Sequence, residues 1–175
     1  QFTDFANTVA LYLTQVQKLA ADRRAQDPKR AQLTADGAFK LASDPANPVA
    51  APAPEPATPY FDLAPLENAV AKLHASAKAF DAAYAANGTA LSPAARDRLN
   101  VALRDIDQLL LDPRGLPGRP WYRNMIYAPG RFTGYGAKTL PGVREAIEER
   151  RFDDADTYIG FTAQALTDYA AGLEA

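Results

Sequence analysis

The sequence predicts an all-α fold: a four-helix bundle with one long ordered loop, rich in proline, glycine, arginine and aromatic residues, between the third and last long helices. Three observations carry this. Apolar residues recur at alternating spacings of three and four along four separate segments, the mark of a helix with one buried stripe. The 14 prolines are clustered rather than spread, so they break the chain in few places. Alanine, the strongest helix former, fills much of what lies between. Four helices with one stripe each bury their apolar surface economically by facing one another.

The first stripe is Phe2, Phe5, Val9, Tyr12, Val16 and Leu19. A short separate helix is expected from Pro28 to Leu41. Residues 44–59 hold Pro45, Pro48, Pro52, Pro54, Pro56 and Pro59 and few large apolar side chains, which predicts an extended, exposed connector. The second stripe is Leu66, Val70, Leu73, Ala77, Phe80 and Tyr84, opened by Asp62 as N-cap and stopped at Asn87-Gly88. Ser92-Pro93 supplies a cap and a first-turn proline for the third, Leu99, Leu103, Ile106 and Leu110. Residues 111–141 read as an ordered functional loop, because Trp121, Tyr122, Tyr127, Phe132 and Tyr135 sit among its prolines, as they would not in a disordered linker. A short helix follows from Pro141 to about Arg150. The last stripe, Ile159, Thr162, Leu166, Tyr169 and Leu173, is entered through Asp153 and Asp154. Alanine on the helix flanks permits close helix approach; a GC-rich bacterial genome would enrich it too, and both explanations stand.

The chain has 175 residues, and the reading is one helical domain over 1–175. Nineteen Lys and Arg against 21 Asp and Glu leave a formal charge of -2, which disfavours nucleic acid or an anionic membrane as partner. With no cysteine and one histidine, disulfides, thiolate zinc sites and most imidazole chemistry are excluded. No run of about 20 apolar residues is present. The start at Gln1-Phe2-Thr3 carries neither Met nor a signal peptide, so we expect a piece of a longer chain. His74 shares a helix face with Glu67 and Asp81, seven residues to either side, and reads as a solvated surface histidine. The pairs Glu148/Glu149 and Asp153/Asp154 are expected to serve helix ends. No serine elbow, zinc-protease helix or phosphate loop occurs. Catalytic residues: none. Metal ligands: none. Cofactors in this domain: none.

The loop carries Arg114, Arg119, Arg123, Arg131 and Lys138 against Asp112. Arginine beside aromatic rings suits carboxylate or phosphate recognition. For Trp121 to Tyr127 the other reading is structural: the aromatics close the end of the bundle while the arginines cap helix carbonyls. For Arg131 to Lys138, flanked by glycines, contact with a ligand or another domain is expected.

The run Asp112-Pro113-Arg114-Gly115-Leu116-Pro117-Gly118-Arg119-Pro120-Trp121-Tyr122-Arg123-Asn124-Met125-Ile126-Tyr127-Ala128-Pro129 resembles the signature of the dimerisation domain shared by the transferrin receptor and glutamate carboxypeptidase II. The likeness continues ungapped through Tyr135 to Pro141-Gly142, and extends upstream to Phe61-Asp62 and downstream to Phe161-Thr162-Ala163-Gln164-Ala165. It implies a helical domain that follows a zinc-dependent exopeptidase domain and builds the homodimer interface. Zinc and the catalytic groups would lie in that peptidase domain, in a bacterial parent exported to the periplasm or beyond the cell. It also implies that the loop holding Arg131, Gly134, Tyr135 and Lys138 helps to form the specificity pocket for the C-terminal residue of a peptide substrate. Tyr135 matches the family's pocket tyrosine. The adjoining lysine position is Gly134 here, with Lys138 or Arg131 as replacement cations. The alternative is a free-standing helical module that holds an anionic ligand through the same loop.

Overall fold

The computed structural model describes residues 1–134 and 136–175, with Ala42 described by its backbone only. It is mostly helical. In order, α1 spans Phe2–Ala35, α2 Ala64–Asn87, α3 Pro93–Asp105, α4 Pro141–Glu148 and α5 Phe152–Glu174, and a two-stranded antiparallel ribbon pairs β1 (Tyr127–Pro129) with β2 (Ala137–Thr139). Short 3-10 turns at Ala38–Ala42, Gly88–Ala90 and Ile106–Leu110 link the helices.

Of the first predicted stripe Val9 and Val16 are buried while Phe2, Phe5, Tyr12 and Leu19 are half-buried against the core, and the fully buried line runs one residue aside through Ala6, Leu13 and Ala20. It shares one buried cluster with Leu66, Val70, Leu73 and Ala77 of α2, which in turn packs on α5, and Phe2 and Phe5 reach the Tyr169 ring of α5 directly. Asp81 of α2 ties the start of α1: its carboxylate accepts from the amides of Phe2 and Thr3 and from the Thr3 hydroxyl. These are amides that no helical carbonyl can reach.

The sequence reading and the structure part in several places, the first at α2, whose N-cap is Leu63 and not Asp62; the Asp62 carboxylate accepts from the Ala64 amide at 3.0 Å. No separate helix begins at Pro28; α1 runs through it to Ala35. A proline inside a helix costs a hydrogen bond and crowds the preceding turn. Here the residue before it is anchored from outside: Asp27 accepts from the Thr58 amide at 2.7 Å and from Arg150. The third predicted stripe is largely uncovered. α3 has no buried residue, and only Ile106 and Leu110, on the 3-10 turn beyond it, reach the core. The interior is therefore shared by α1, α2, α5 and the short α4, whose Val143, Ala146 and Ile147 are fully buried. The stop at Asn87-Gly88 is correct in place but not in kind, since Gly88 keeps right-handed helical angles and tightens into a 3-10 turn. The Ser92 cap holds, accepting from the Ala95 amide.

The connector is exposed over most of its length, yet it is tied down at its end. Arg150, a non-glycine residue in left-handed conformation between α4 and α5 (φ 58°), pairs with Asp27 and Glu55 and donates to the Pro56 carbonyl. The Arg150 guanidinium and the Thr58 amide hold the Asp27 carboxyl well below the usual carboxylate range. A depressed carboxylate stabilises the fold fully above its unfolded pKa, about 3.9, and loses that contribution as pH falls below it. Thermal unfolding followed by circular dichroism is therefore expected to show the melting temperature dropping as pH falls from about 4. In Asp27→Asn that drop is expected to be shallower, from a lower starting value at pH 7. An equally steep acid limb in the variant would show that other carboxylates govern it.

Candidate functional site

The site is the segment between Leu110 and Pro141. Its first half doubles back on itself through backbone bonds. Asp112 N–H donates to Arg123 O, Leu116 N–H to Tyr122 O, and Met125 N–H to Leu110 O, at 2.9, 2.9 and 3.0 Å. Asp112 sets the opening turn: its carboxylate accepts from the Arg114 amide and pairs with the Arg114 side chain. The guanidinium of Arg114 lies 3.3 Å over the centre of the Phe161 ring. Tyr158 of α5 donates its hydroxyl to the Gly115 carbonyl at 2.5 Å. Burial pushes that phenol's pKa up.

What closes the bundle end is not the predicted aromatic set. Trp121 is 69% and Tyr127 59% exposed, with only Tyr122 partly covered; Leu116, Met125 and Ile126 are buried instead. The turns make the reason plain, since Trp121 sits near the outer end of the doubled-back segment while Leu116 and Met125 turn into the core cluster. Periodicity does not see this, because neither strand nor helix spacing applies within successive turns.

The second half is the β1–β2 ribbon, with Tyr127, Ala128 and Pro129 opposite Thr139, Lys138 and Ala137. Gly130 N–H donates to Gly136 O at 2.8 Å and closes the base of the tip. Beneath lies a buried ion pair that the sequence reading did not single out. Arg119 Nη2 and Glu145 Oε2 are 2.5 Å apart, with side chains 9% and 6% exposed. The other terminal nitrogen of Arg119 donates to the Pro129 carbonyl, and Glu145 Oε1 accepts from the Arg131 amide at 2.7 Å.

Each predicted contact residue has a definite place except one. Tyr135 lies outside the described residues. Gly134 is exposed in left-handed conformation (φ 59°), with no atom within 4 Å of where a Cβ would stand. The Arg131 side chain reaches Glu149 at 3.3 Å, and Lys138 Nζ sits 2.8 Å from Glu148. Both replacement cations are thus engaged by carboxylates of the α4 C-terminal end. This corrects the reading of Glu148 and Glu149 as helix-end stabilisers: a carboxylate is unfavourable at a helix C-terminus, and these two are offset by Lys138, Arg131 and Arg151. The anion-binding alternative loses its footing in the same way. Among the described residues Arg123 is the one loop cation without a carboxylate partner.

The family model of the transferrin receptor-like dimerisation domain matches residues 61–174. The chain belongs to this family. Its relatives include a probable glutamate carboxypeptidase of Arthroderma benhamiae, 34% identical over 116 residues that make up 66% of this chain and 16% of the relative. A probable glutamate carboxypeptidase of Arabidopsis thaliana is 42% identical over 53 residues, 30% of this chain and 8% of that protein. The vacuolar protein sorting-associated protein 70 of Saccharomyces cerevisiae is 36% identical over 52 residues, 30% and 6% of the two chains. The stretch matched by this chain therefore spans about a sixth or less of the length of each of these relatives.

The dimerisation domain offers, among its described residues, no set of ligands fitted to zinc. Among the described residues no three His, Cys, Asp or Glu side chains converge as metal ligands. His74 is exposed, while Glu67 accepts from Gln17 and Asp81 from the α1 N-terminus. No metal-dependent step is assigned to these residues.

Proposed function

We propose that this chain is the non-catalytic dimerisation domain of a glutamate carboxypeptidase-like zinc exopeptidase, supplying the homodimer interface and, through residues 131–138, one wall of the pocket that receives the C-terminal residue of a peptide substrate. The observation that supports it most is the family match over 61–174, which includes the whole loop. The zinc and its reacting groups belong, in this reading, to a peptidase domain of the same protein. A bacterial source and an exported location remain part of the proposal; the relatives named above are fungal and plant.

The arrangement suits such a division of labour. A buried ion pair and backbone bonds secure the loop root, while Gly134 at the tip leaves room for a ligand to approach. On α3, Val101 is exposed and Leu99 and Leu103 are only partly covered, which leaves apolar surface for a second copy and a partner for the part of the stripe that the single chain does not bury.

Two measurements test the reading in the protein expressed from its complete reading frame. Sedimentation is expected to give a dimer at micromolar concentration; a monomer there would overturn the dimerisation role. Tyr135→Phe is expected to raise KM for an N-acylated dipeptide ending in glutamate by about tenfold, the scale of one lost hydrogen bond to a charged group, with little change in kcat. An unchanged KM would remove the loop from the pocket.

A further inference from the structure

We infer that Glu145, neutralised by Arg119, is the positioning residue of the substrate-facing loop: one carboxylate on α4 fixes where that loop starts and so sets the pocket's affinity. The inference rests on the proposed role of residues 131–138, and it goes beyond it by naming what holds them.

Gly130 is the last residue before the tip. The peptide groups on its two sides are held by the two members of a single ion pair. Arg119 donates to the carbonyl of Pro129, just before it, and Glu145 Oε1 accepts from the amide of Arg131, just after it, at 2.7 Å. Glu145 Oε2 and Arg119 Nη2 close the circuit at 2.5 Å. A Cβ at Gly130 would stand 2.0 Å from Thr133 Oγ1, which would have to rotate, and 3.2 Å from the Gly136 carbonyl oxygen, so the root of the tip is closely packed as well as tethered. Beyond it residues 131–134 are exposed and held by three contacts of 3.2–3.3 Å: the Arg131–Glu149 pair, the Gly136 amide on the Thr133 carbonyl, and the Thr133 hydroxyl on the Gly136 carbonyl. The described residues thus form a rigid root carrying an exposed tip, and the root takes its position from α4.

A buried ion pair is weak evidence for stability, because well-packed apolar residues of similar volume often serve as well or better. Its distinctive property is direction. A carboxylate with two oxygens and a planar guanidinium can hold two peptide groups and each other in one fixed geometry, which an apolar pair cannot. That difference separates positioning from packing.

The experiment is made in the protein from its complete reading frame, with an N-acylated dipeptide ending in glutamate as substrate. The double variant Arg119→Met with Glu145→Leu removes both charges together and leaves neither one stranded. It is expected to remain a dimer with a melting temperature near that of the parent, while KM rises about tenfold and kcat changes less than twofold. Glu145→Gln, which keeps the shape and leaves Arg119 in place, is expected to speed hydrogen exchange in the peptide covering 130–134 at least tenfold, with exchange in α5 unchanged. An unaltered KM in a folded double variant, or unaltered exchange in Glu145→Gln, overturns the inference. If Tyr135→Phe raises KM while the double variant does not, the loop's contact with substrate stands and only Glu145's role falls. If neither changes KM, both fall.

Discussion

Replacing Arg119 alone by alanine is expected to destabilise the protein by about 3–5 kcal/mol, the general cost of removing one partner from a buried ion pair. In a domain of this size that corresponds to a fall in melting temperature of order 10 °C. The magnitude follows from what is left behind. Glu145 is 4% exposed, so its charge would have no water to turn to, and its remaining donor would be the Arg131 amide. The Pro129 carbonyl would lose its guanidinium donor at the same time. Arg119→Lys is expected to recover part of the loss: an ammonium restores the charge, but as a single point it lacks the fork that reaches Pro129 and Glu145 together. Calorimetry of the two variants beside the parent checks this. An alanine variant within about 1 kcal/mol of the parent would mean that water reaches Glu145 in solution.

The same pair shows where reading the sequence stops. Arg119 was visible as one of five loop cations, and an excess of positive charge suggests an external anion. Its partner, 26 residues on, lies on a helix whose surface and core positions periodicity alone does not separate. Glu148 and Glu149 are a parallel case, because their role depends on Lys138 and Arg131 folding back over α4. Long-range charge pairing of this sort leaves no spacing signal. The long stripes of α1, α2 and α5 do, and so does the Ser92 cap, since both are set by local geometry. α3 marks the boundary between the two situations. Its apolar spacing is real, but whether a stripe is covered depends on what stands opposite, and among the described residues Leu99 and Leu103 find only partial cover. The connector is the reverse case: composition predicted exposure, while its hold on Arg150 and Asp27 came from contacts across the chain. For Arg131 to Lys138 the flanking glycines and the family resemblance both point to contact, while what fixes these residues in place lies in pairings across the fold.

Gly115→Ala is expected to cost about 3 kcal/mol, against about 1 kcal/mol for Gly134→Ala. Both glycines have left-handed backbones, with φ of 68° and 59°, so both alanines carry the same penalty of about 1–2 kcal/mol for placing a Cβ there. Their surroundings differ. At Gly134 the new Cβ meets nothing within 4 Å, whereas at Gly115 it stands 2.3 Å from the Pro120 carbonyl oxygen and 2.6 Å from the Pro120 carbonyl carbon and Cα. Those atoms are backbone and cannot rotate aside. Relief has to come from opening the ribbon between Leu116 and Tyr122, whose bond is 2.9 Å, or from moving the Gly115 carbonyl away from Tyr158. Either movement disturbs the turn that carries Arg119 to Glu145, so Gly115→Ala is also expected to raise KM in the complete protein. Gly134→Ala sits at the tip and is expected to leave the root, and hence hydrogen exchange at 130–131, unchanged. Equal destabilisation by the two substitutions would show that the ribbon gives way freely and that the root is not rigid.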